Sequence, residues 1–180
     1  MAADAEVART ARWRWALAGA VAAGIAVSGA LAGYADAHPG DGAPLFTLWF
    51  GSMVAAKTAL ATAAAALVVV QLASAVAMYR GGPGWVAWVH RWSGVAAFGL
   101  ALPVAFACVW SLGFEDRSTR VLVHSVLGCA FFGVFTVKML ALRVRGLPGW
   151  VLPVLGGLVV ALLGVVWATS GLWYLLTVGP

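Results

Sequence analysis

Three histidines are the side chains in this sequence best suited to hold a metal ion or a haem iron. His90 lies in WVHRWSG, residues 88–94, and His124 lies in VLVHSVLG, residues 121–128, each just inside a very apolar segment. Ionisable groups in apolar membrane segments are costly and usually functional, and a neutral imidazole is a good ligand for haem iron or another transition metal. His90 and His124 are therefore candidate metal or haem b ligands. His38, in the polar loop YADAHPGDGAP, is a further candidate haem ligand.

Each histidine also has an interpretation that needs no cofactor. His90, beside Arg91, could contact lipid headgroups at a membrane surface. His124 could form a hydrogen bond between helices. His38, beside Pro39, could lie in a solvated turn. These alternatives stay open at the level of sequence.

The other polar groups within apolar segments have ordinary explanations. Lys57 and Lys138 lie near the ends of their segments, where a lysine can extend its charged group to the surface. Cys108 and Cys129 belong to no CxxC pair and no Cys/His ligand cluster. We therefore interpret both cysteines as small buried apolar side chains.

The composition shows what kind of structure must position these residues. The chain has 180 residues, of which 63% are hydrophobic and 9% charged, with mean hydropathy +0.97. A soluble domain carries about a quarter charged residues, so this chain is an integral membrane protein. No basic cluster with interleaved aromatic residues points to nucleic acid, and no loop or span offers a nucleophile with a positioned base and acid. The sequence leaves open whether the protein is an enzyme.

The apolar runs predict an all-α bundle of five transmembrane helices, forming a single transmembrane domain over residues 1–180. Runs of about 20 apolar residues are long enough to cross a bilayer. A short interfacial segment at about 45–50 precedes the second span. The predicted spans are about 13–34, 53–78, 85–114, 121–142 and 150–176. The stretches MYRGGPGWVAWV and LRVRGLPGWVLPV resemble each other, which indicates either a duplicated helical hairpin or two similar tight turns.

The distribution of Lys and Arg predicts a cell-membrane protein with a cytoplasmic N-terminus. Basic residues concentrate in cytoplasmic loops. With the N-terminus inside, the inner ends of the spans carry Arg9, Arg12, Arg14, Arg80, Arg91, Arg143 and Arg145, and the outer ends only Lys57, Arg117 and Arg120. The first span could instead be a signal peptide cleaved near ADA at 35–37, but its apolar run exceeds the usual length.

This topology separates the two membrane histidines. His90 begins an outward-running helix and His124 begins the returning one, so about 25–30 Å of helix lies between them. The two axial ligands of one iron lie only about 4 Å apart, so one haem cannot use both. Companion ligands would be His38 or Met53 for His124, and Met78 or Met139 for His90.

Several motifs, in this order, resemble a family of small bacterial membrane proteins of unknown function. They are HRWSG, ALPVAFAC followed by LGF, HSVLGCAFFGVFTVKMLALR, LPGWVLPVLGG and GLWYLL, and they cover about residues 45–178. More distantly, the histidine–arginine pair that opens a span is similar to ferric-reductase-like and b-type cytochrome membrane domains. That resemblance implies haem held by histidines at both membrane faces. The chain departs from the pattern in LPVAFACVW, which lacks the second histidine, and Ala107 stands where a ligand facing His124 would be convenient.

Two functions follow as hypotheses. The first is a b-type haem protein of the lipid bilayer that exchanges electrons with a membrane redox partner or a quinone. The second is a non-catalytic membrane subunit or scaffold that packs against a partner membrane protein. A transporter is less favoured, because the spans show no clean inverted repeat. The sequence does not give the oligomeric state.

Overall fold

The computed structural model describes the backbone of residues 2–179 and the side chains of residues 12–179. All regular structure in that part of the chain is helical, which confirms the predicted fold class. Five helical stretches are long and apolar enough to cross a membrane. The helices are α1 Ala2–Ala37, α2 Met53–Tyr79, α3 Trp85–Ala107 with a π-helical turn at Cys108–Leu112, α4 Thr119–Ala141, and α5 Val151–Trp167, followed by a π-helical turn at Ala168–Leu172 and the short α6 Trp173–Thr177.

Serine side chains define the first residues of α2 and α4. The Ser52 hydroxyl accepts a hydrogen bond from the Ala55 amide at 3.1 Å. The Ser118 hydroxyl accepts one from the Val121 amide at 3.3 Å. The first amides of a helix have no partner within the helix, so these hydroxyls replace the water that would otherwise solvate them.

The two similar sequence stretches form loops of the same kind. Gly81 and Gly146 occupy equivalent positions after an arginine and have φ values of 76° and 79°, a conformation that glycine adopts without strain. The amides of Val86 and Val151 donate to the carbonyls of Pro83 and Pro148 at 3.0 and 3.1 Å. Each loop joins a pair of packed helices, α2 with α3 and α4 with α5. The resemblance therefore extends from the sequence to the geometry of both hairpins.

The hairpins pack side by side, and α1 lies at the periphery. Helix α2 contacts α5, α3 meets α4 through the stacked rings of Phe98 and Phe135, 4.1 Å apart, and α1 packs along α4. We call the end of the bundle with residues 80–84 and 142–150 the hairpin end, and the end with residues 38–52 and 113–118 the loop end. The orientation with an inward N-terminus stays a prediction.

Close backbone contact joins α1 to α4. Both Gly24 and Gly133 are buried, and a Cβ on Gly24 would lie 2.6 Å from the Gly133 carbonyl oxygen. The Ser28 hydroxyl donates across the same contact to the Cys129 carbonyl at 3.2 Å. Small residues that let helix backbones approach are the usual means of helix association in lipid.

The loop between α1 and α2 is anchored at one end and exposed at the other. Ser111, 1% exposed, donates from its hydroxyl to the Ala43 carbonyl at 2.6 Å and accepts the Gly42 amide on its own carbonyl at 2.9 Å. Residues 45–50 form irregular turns, in which Trp49 is 94% exposed. An exposed tryptophan at this position suits the interfacial role predicted for the segment.

Candidate functional site at the loop end

His124 sits between α4 and α5 with its ring orientation fixed by a backbone carbonyl. Its Nδ1 lies 3.1 Å from the Val166 carbonyl oxygen and 3.3 Å from the Thr169 hydroxyl. A carbonyl can only accept, so the Val166 contact assigns the ring proton to Nδ1. In the neutral ring, Nε2 then carries a lone pair and is free to act as a base or a ligand.

Cys108, His124 and Lys57 lie at similar depths in the bundle, four or five residues from the loop end of their helical stretches. These three residues come from α2, from the end of α3 and from α4, and each is half-buried. A thiol, an imidazole and an ammonium group therefore occupy the same level of the bundle near the loop end. We call these three residues the thiol cluster.

Two π-helical turns flank the thiol cluster. Cys108 is the first residue of the turn Cys108–Leu112, and Thr169 lies in the turn Ala168–Leu172. A π-helical turn widens the helix locally and occurs frequently at functional sites. Here the Val166 carbonyl, just before the second turn, accepts from His124.

Polar contacts around the thiol cluster tie three helices together. The Trp167 indole donates to the Thr62 hydroxyl at 3.0 Å, which joins α5 to α2. The Arg120 guanidinium donates to the Thr169 carbonyl and lies 3.8 Å from the centre of the Trp173 ring. These contacts hold the helices that carry Lys57 and His124 in fixed relation.

His90 belongs to a second polar group, at the hairpin end. The Ser74 hydroxyl donates to the Val70 carbonyl at 2.7 Å and therefore accepts from His90 Nδ1 at 3.0 Å. The Gln71 amide donates to the His90 carbonyl and to the Ser93 hydroxyl, the latter at 2.6 Å. These bonds join α2 to α3 and leave Nε2 of His90 without a hydrogen bond in this group.

The two membrane histidines are far apart. His90 lies five residues from the hairpin end of the stretch Trp85–Leu112, and His124 lies five residues from the loop end of α4. Measured along α3, these depths leave about 25 Å between the two rings. This agrees with the separation expected from the sequence, and no single cofactor of haem size contacts both rings.

His38 and His124 have different partners. The His38 ring is exposed and stacks on Tyr34 with ring centres 4.3 Å apart, and its Nδ1 lies 2.9 Å from the Tyr34 carbonyl. Tyr34 in turn lies beside Trp110, with ring centres 6.1 Å apart. His38 therefore packs on α1 near the end of the α3 stretch, whereas His124 bonds to α5.

The surface loop that follows α3 holds an ion pair. Both guanidinium nitrogens Nε and Nη2 of Arg117 donate to the Glu115 carboxylate, the second at 2.6 Å. This hydrogen bond lowers the pKa of Glu115 below its ordinary value and raises that of Arg117. The pair is solvent-exposed and orders the loop rather than taking part in the thiol cluster.

A haem held by two histidines at the loop end stays a prediction, because the contacts of His38 and those of His124 have no side chain in common. Within residues 12–179 no group of three or more His, Cys, Asp or Glu side chains is arranged to hold a metal ion. The hairpin end offers a single imidazole, that of His90, so it fits at most a haem with one histidine ligand.

A model for a family of unknown function, DUF6529, matches residues 17–180. The chain belongs to this family. The match spans nearly the whole sequence and agrees with the resemblance carried by the motifs from HRWSG to GLWYLL. No curated protein and no solved structure matches the chain.

In this DUF6529 protein, sequence reasoning did not place Lys57, Cys108 and His124 at one level of the bundle. Cys108, interpreted as a small buried apolar side chain, is half-buried, and the interpretation of Lys57 as a lysine that extends to the surface stays a prediction. Ala107, at the position where a ligand facing His124 would be convenient, is fully buried. Depth was the available signal, because Lys57, Cys108 and His124 each lie four or five residues from the loop end of their helix.

Proposed function

We propose that this DUF6529 protein is a non-catalytic membrane subunit that binds a transmembrane helix of a partner protein through α1. The observation that supports this proposal is a face of α1 with small residues that are exposed in the bundle. In the segment GALAG, Gly29 and Gly33 are exposed, and a Cβ added to either would meet no atom within 4 Å. A different side of α1, with Gly24, packs closely on α4.

The physical argument rests on what drives helices together in lipid. Lipid tails are as apolar as leucine, so helices associate through close packing of small residues rather than through the hydrophobic effect. Glycines four residues apart form a groove that admits another helix backbone. Helix α1 already uses such a contact once, between Gly24 and Gly133, and the Gly29 and Gly33 face repeats the same chemistry on open surface.

The membrane histidines support a structural role as well. His90 bonds to α2 through Ser74, and His124 bonds to α5 through the Val166 carbonyl. Within residues 12–179, no buried side-chain nitrogen or oxygen lacks a hydrogen-bond partner. Both imidazoles thus act as links between helices.

The test compares α1 variants in native membranes. Gly29→Ile and Gly33→Ile should each convert a complex larger than the single chain into the free chain, measured by native electrophoresis after extraction in mild detergent. Gly19→Ile is the matched control, because Gly19 is also an exposed glycine of α1 with nothing within 4 Å. A complex that survives both substitutions, or that is absent in the unchanged protein, refutes the proposal. A complex containing only copies of this chain assigns the face to self-association instead.

A haem protein that exchanges electrons with a membrane redox partner or quinone is the second candidate function. The observation that favours it is the hydrogen bond from His90 Nδ1 to the Ser74 hydroxyl, which fixes the ring and leaves Nε2 for iron. Haem would supply one-electron chemistry there, while His90 and Ser74 hold and orient it. The protein purified from haem-replete cells should then show a Soret band that is lost in His90→Ala and retained in His124→Ala. A colourless protein, or loss of the band in His124→Ala alone, excludes this assignment.

A further inference from the structure

We propose that two loops at the hairpin end each bind the headgroup of an anionic phospholipid. The loops are residues 80–85 and 145–150, and we call them the arginine loops. Arg80 and Arg145 hold the lipid phosphates, and Trp85 and Trp150 contact the glycerol region beside them. The residues involved are not those of the α1 face, so this inference is independent of the proposed role as a subunit.

The two arginine loops repeat one sequence pattern and one backbone geometry. They read RGGPGW and RGLPGW. The glycine after each arginine has a positive φ, and each proline carbonyl accepts a hydrogen bond from the amide three residues later. Each loop therefore places an arginine at its start and a tryptophan at its end, in equivalent positions.

The tryptophans indicate the depth of the arginine loops in the bilayer. Trp85 and Trp150 are 66% and 62% exposed, each at the start of a span. Tryptophan side chains at the ends of spans lie at the level of the lipid headgroups. Arg80 and Arg145 lie across the same six-residue turns, where the preceding helix has ended. Both guanidinium groups are therefore at the level of the lipid phosphates.

The hairpin end is complementary in charge to an anionic membrane surface. Helix α1 begins at this end, because it packs antiparallel to α4. Within residues 12–179, the exposed arginines of the hairpin end are Arg12, Arg14, Arg80, Arg91, Arg143 and Arg145. The acidic residues of the same range all lie at the loop end, and they are Asp36, Asp41, Glu115 and Asp116. By sequence, residues 1–11 add Asp4, Glu6 and Arg9, which leaves the hairpin end positively charged. Clusters of arginine at a membrane surface attract anionic lipids.

The arginines of the two ends differ in whether the protein itself supplies a partner. At the loop end, Arg117 pairs with Glu115, and Arg120 donates to a backbone carbonyl. Arg80 and Arg145 are exposed, and within residues 12–179 neither side chain forms an ion pair or a hydrogen bond. A planar guanidinium group can donate two parallel hydrogen bonds to one phosphate. The arginine loops therefore offer donors that the loop end does not.

The net charge of the lipid determines which headgroup is preferred. Phosphatidylglycerol carries one negative phosphate, whereas phosphatidylcholine adds an ammonium group that the arginines of the hairpin end repel. The arginine loops should therefore select phosphatidylglycerol. The preference should weaken as added salt screens the charges.

The experiment counts lipids on the full chain. The protein, purified in a non-ionic detergent, is titrated with phosphatidylglycerol or phosphatidylcholine and measured by native mass spectrometry. We expect two molecules of phosphatidylglycerol to bind more tightly than any phosphatidylcholine. Arg80→Gln and Arg145→Gln should each weaken one of these two lipids by about fivefold, and the double variant should weaken both. Arg117→Gln is the matched control, because it removes an arginine from the other end of the bundle.

Three results would overturn the proposal. The unchanged chain binds the two lipids equally, the double variant binds phosphatidylglycerol as well as Arg117→Gln does, or inorganic phosphate displaces the lipid at equal concentration. The last result would assign the arginine loops to a soluble anion. Circular dichroism identifies any variant that has lost its helices. Should the double variant fail to fold, the two single variants carry the comparison.

Discussion

Replacing Gly133 by alanine should loosen the contact between α1 and α4. A Cβ on Gly133 would overlap the Ser28 hydroxyl and would lie 2.5 Å from the Gly24 carbonyl oxygen. Ordinary contact between such atoms is about 3.5 Å, so the helices must separate by about 1 Å. Insertion of one methyl group into a packed contact costs about 1–3 kcal/mol.

A matched variant removes the intrinsic effect of alanine on helix stability. Alanine is favoured over glycine inside a helix by about 0.5–1 kcal/mol. Gly128 is on the same helix as Gly133, and a Cβ there meets nothing within 4 Å. The difference in unfolding free energy between Gly128→Ala and Gly133→Ala therefore isolates the packing cost, and we expect about 1–3 kcal/mol.

Reversible unfolding in mixed micelles measures this difference. Both variants and the unchanged protein are titrated with sodium dodecyl sulfate and followed by circular dichroism and tryptophan fluorescence. Gly133→Ala should unfold at a lower detergent fraction than the unchanged protein, and Gly128→Ala at an equal or higher one. Coincident curves for the two variants would show that α1 and α4 do not approach as closely as the structure has them.

Two further predictions concern polar contacts. Gln71→Leu removes the donor to the His90 carbonyl and the Ser93 hydroxyl, so it should destabilise the bundle by about 0.6–1.7 kcal/mol in the same titration. Arg117→Gln should return the lowered pKa of Glu115 toward 4.5, as carboxyl-carbon NMR would show, and an unchanged titration would refute the pairing. Because the pKa of Glu115 is lowered in the folded loop, the pairing stabilises the loop at neutral pH and is lost as the pH falls through that pKa.

The positions of the helices could be predicted from sequence because apolar length alone determines them. The second span was predicted at about 53–78 and is Met53–Tyr79, and the third was predicted at about 85–114 and ends at Leu112. In lipid every backbone amide must bond within its own helix. A long apolar run in lipid therefore forms a helix, and the polar loops on either side show where that helix begins and ends.

The neighbours of each helix could not be predicted in the same way. The outward faces of the spans are as apolar as the inward ones, so hydrophobicity does not indicate which side of a helix is buried. The peripheral position of α1 depends on the close approach of Gly24 to Gly133, which are distant in sequence. Other glycines of α1, such as Gly29, look identical in sequence and face open space.

The rotation of the helices at their loop ends was out of reach for a more specific reason. A change of one residue turns a side chain by about 100° around a regular helix. The π-helical turns that begin at Cys108 and Ala168 alter that rotation. Sequence periodicity assumes a regular helix, so it misassigns facing side chains at the positions where regularity ends.

The polar groups of the bundle link helices at little cost, which is what a structural subunit requires. At the hairpin end, Gln71, Ser74, Ser93 and His90 satisfy one another across α2 and α3. At the loop end, His124 bonds to the Val166 carbonyl and the Trp167 indole bonds to Thr62, which joins α4, α5 and α2. Because these contacts lie within and between the two hairpins, the glycine face of α1 is left for the contact with a partner helix.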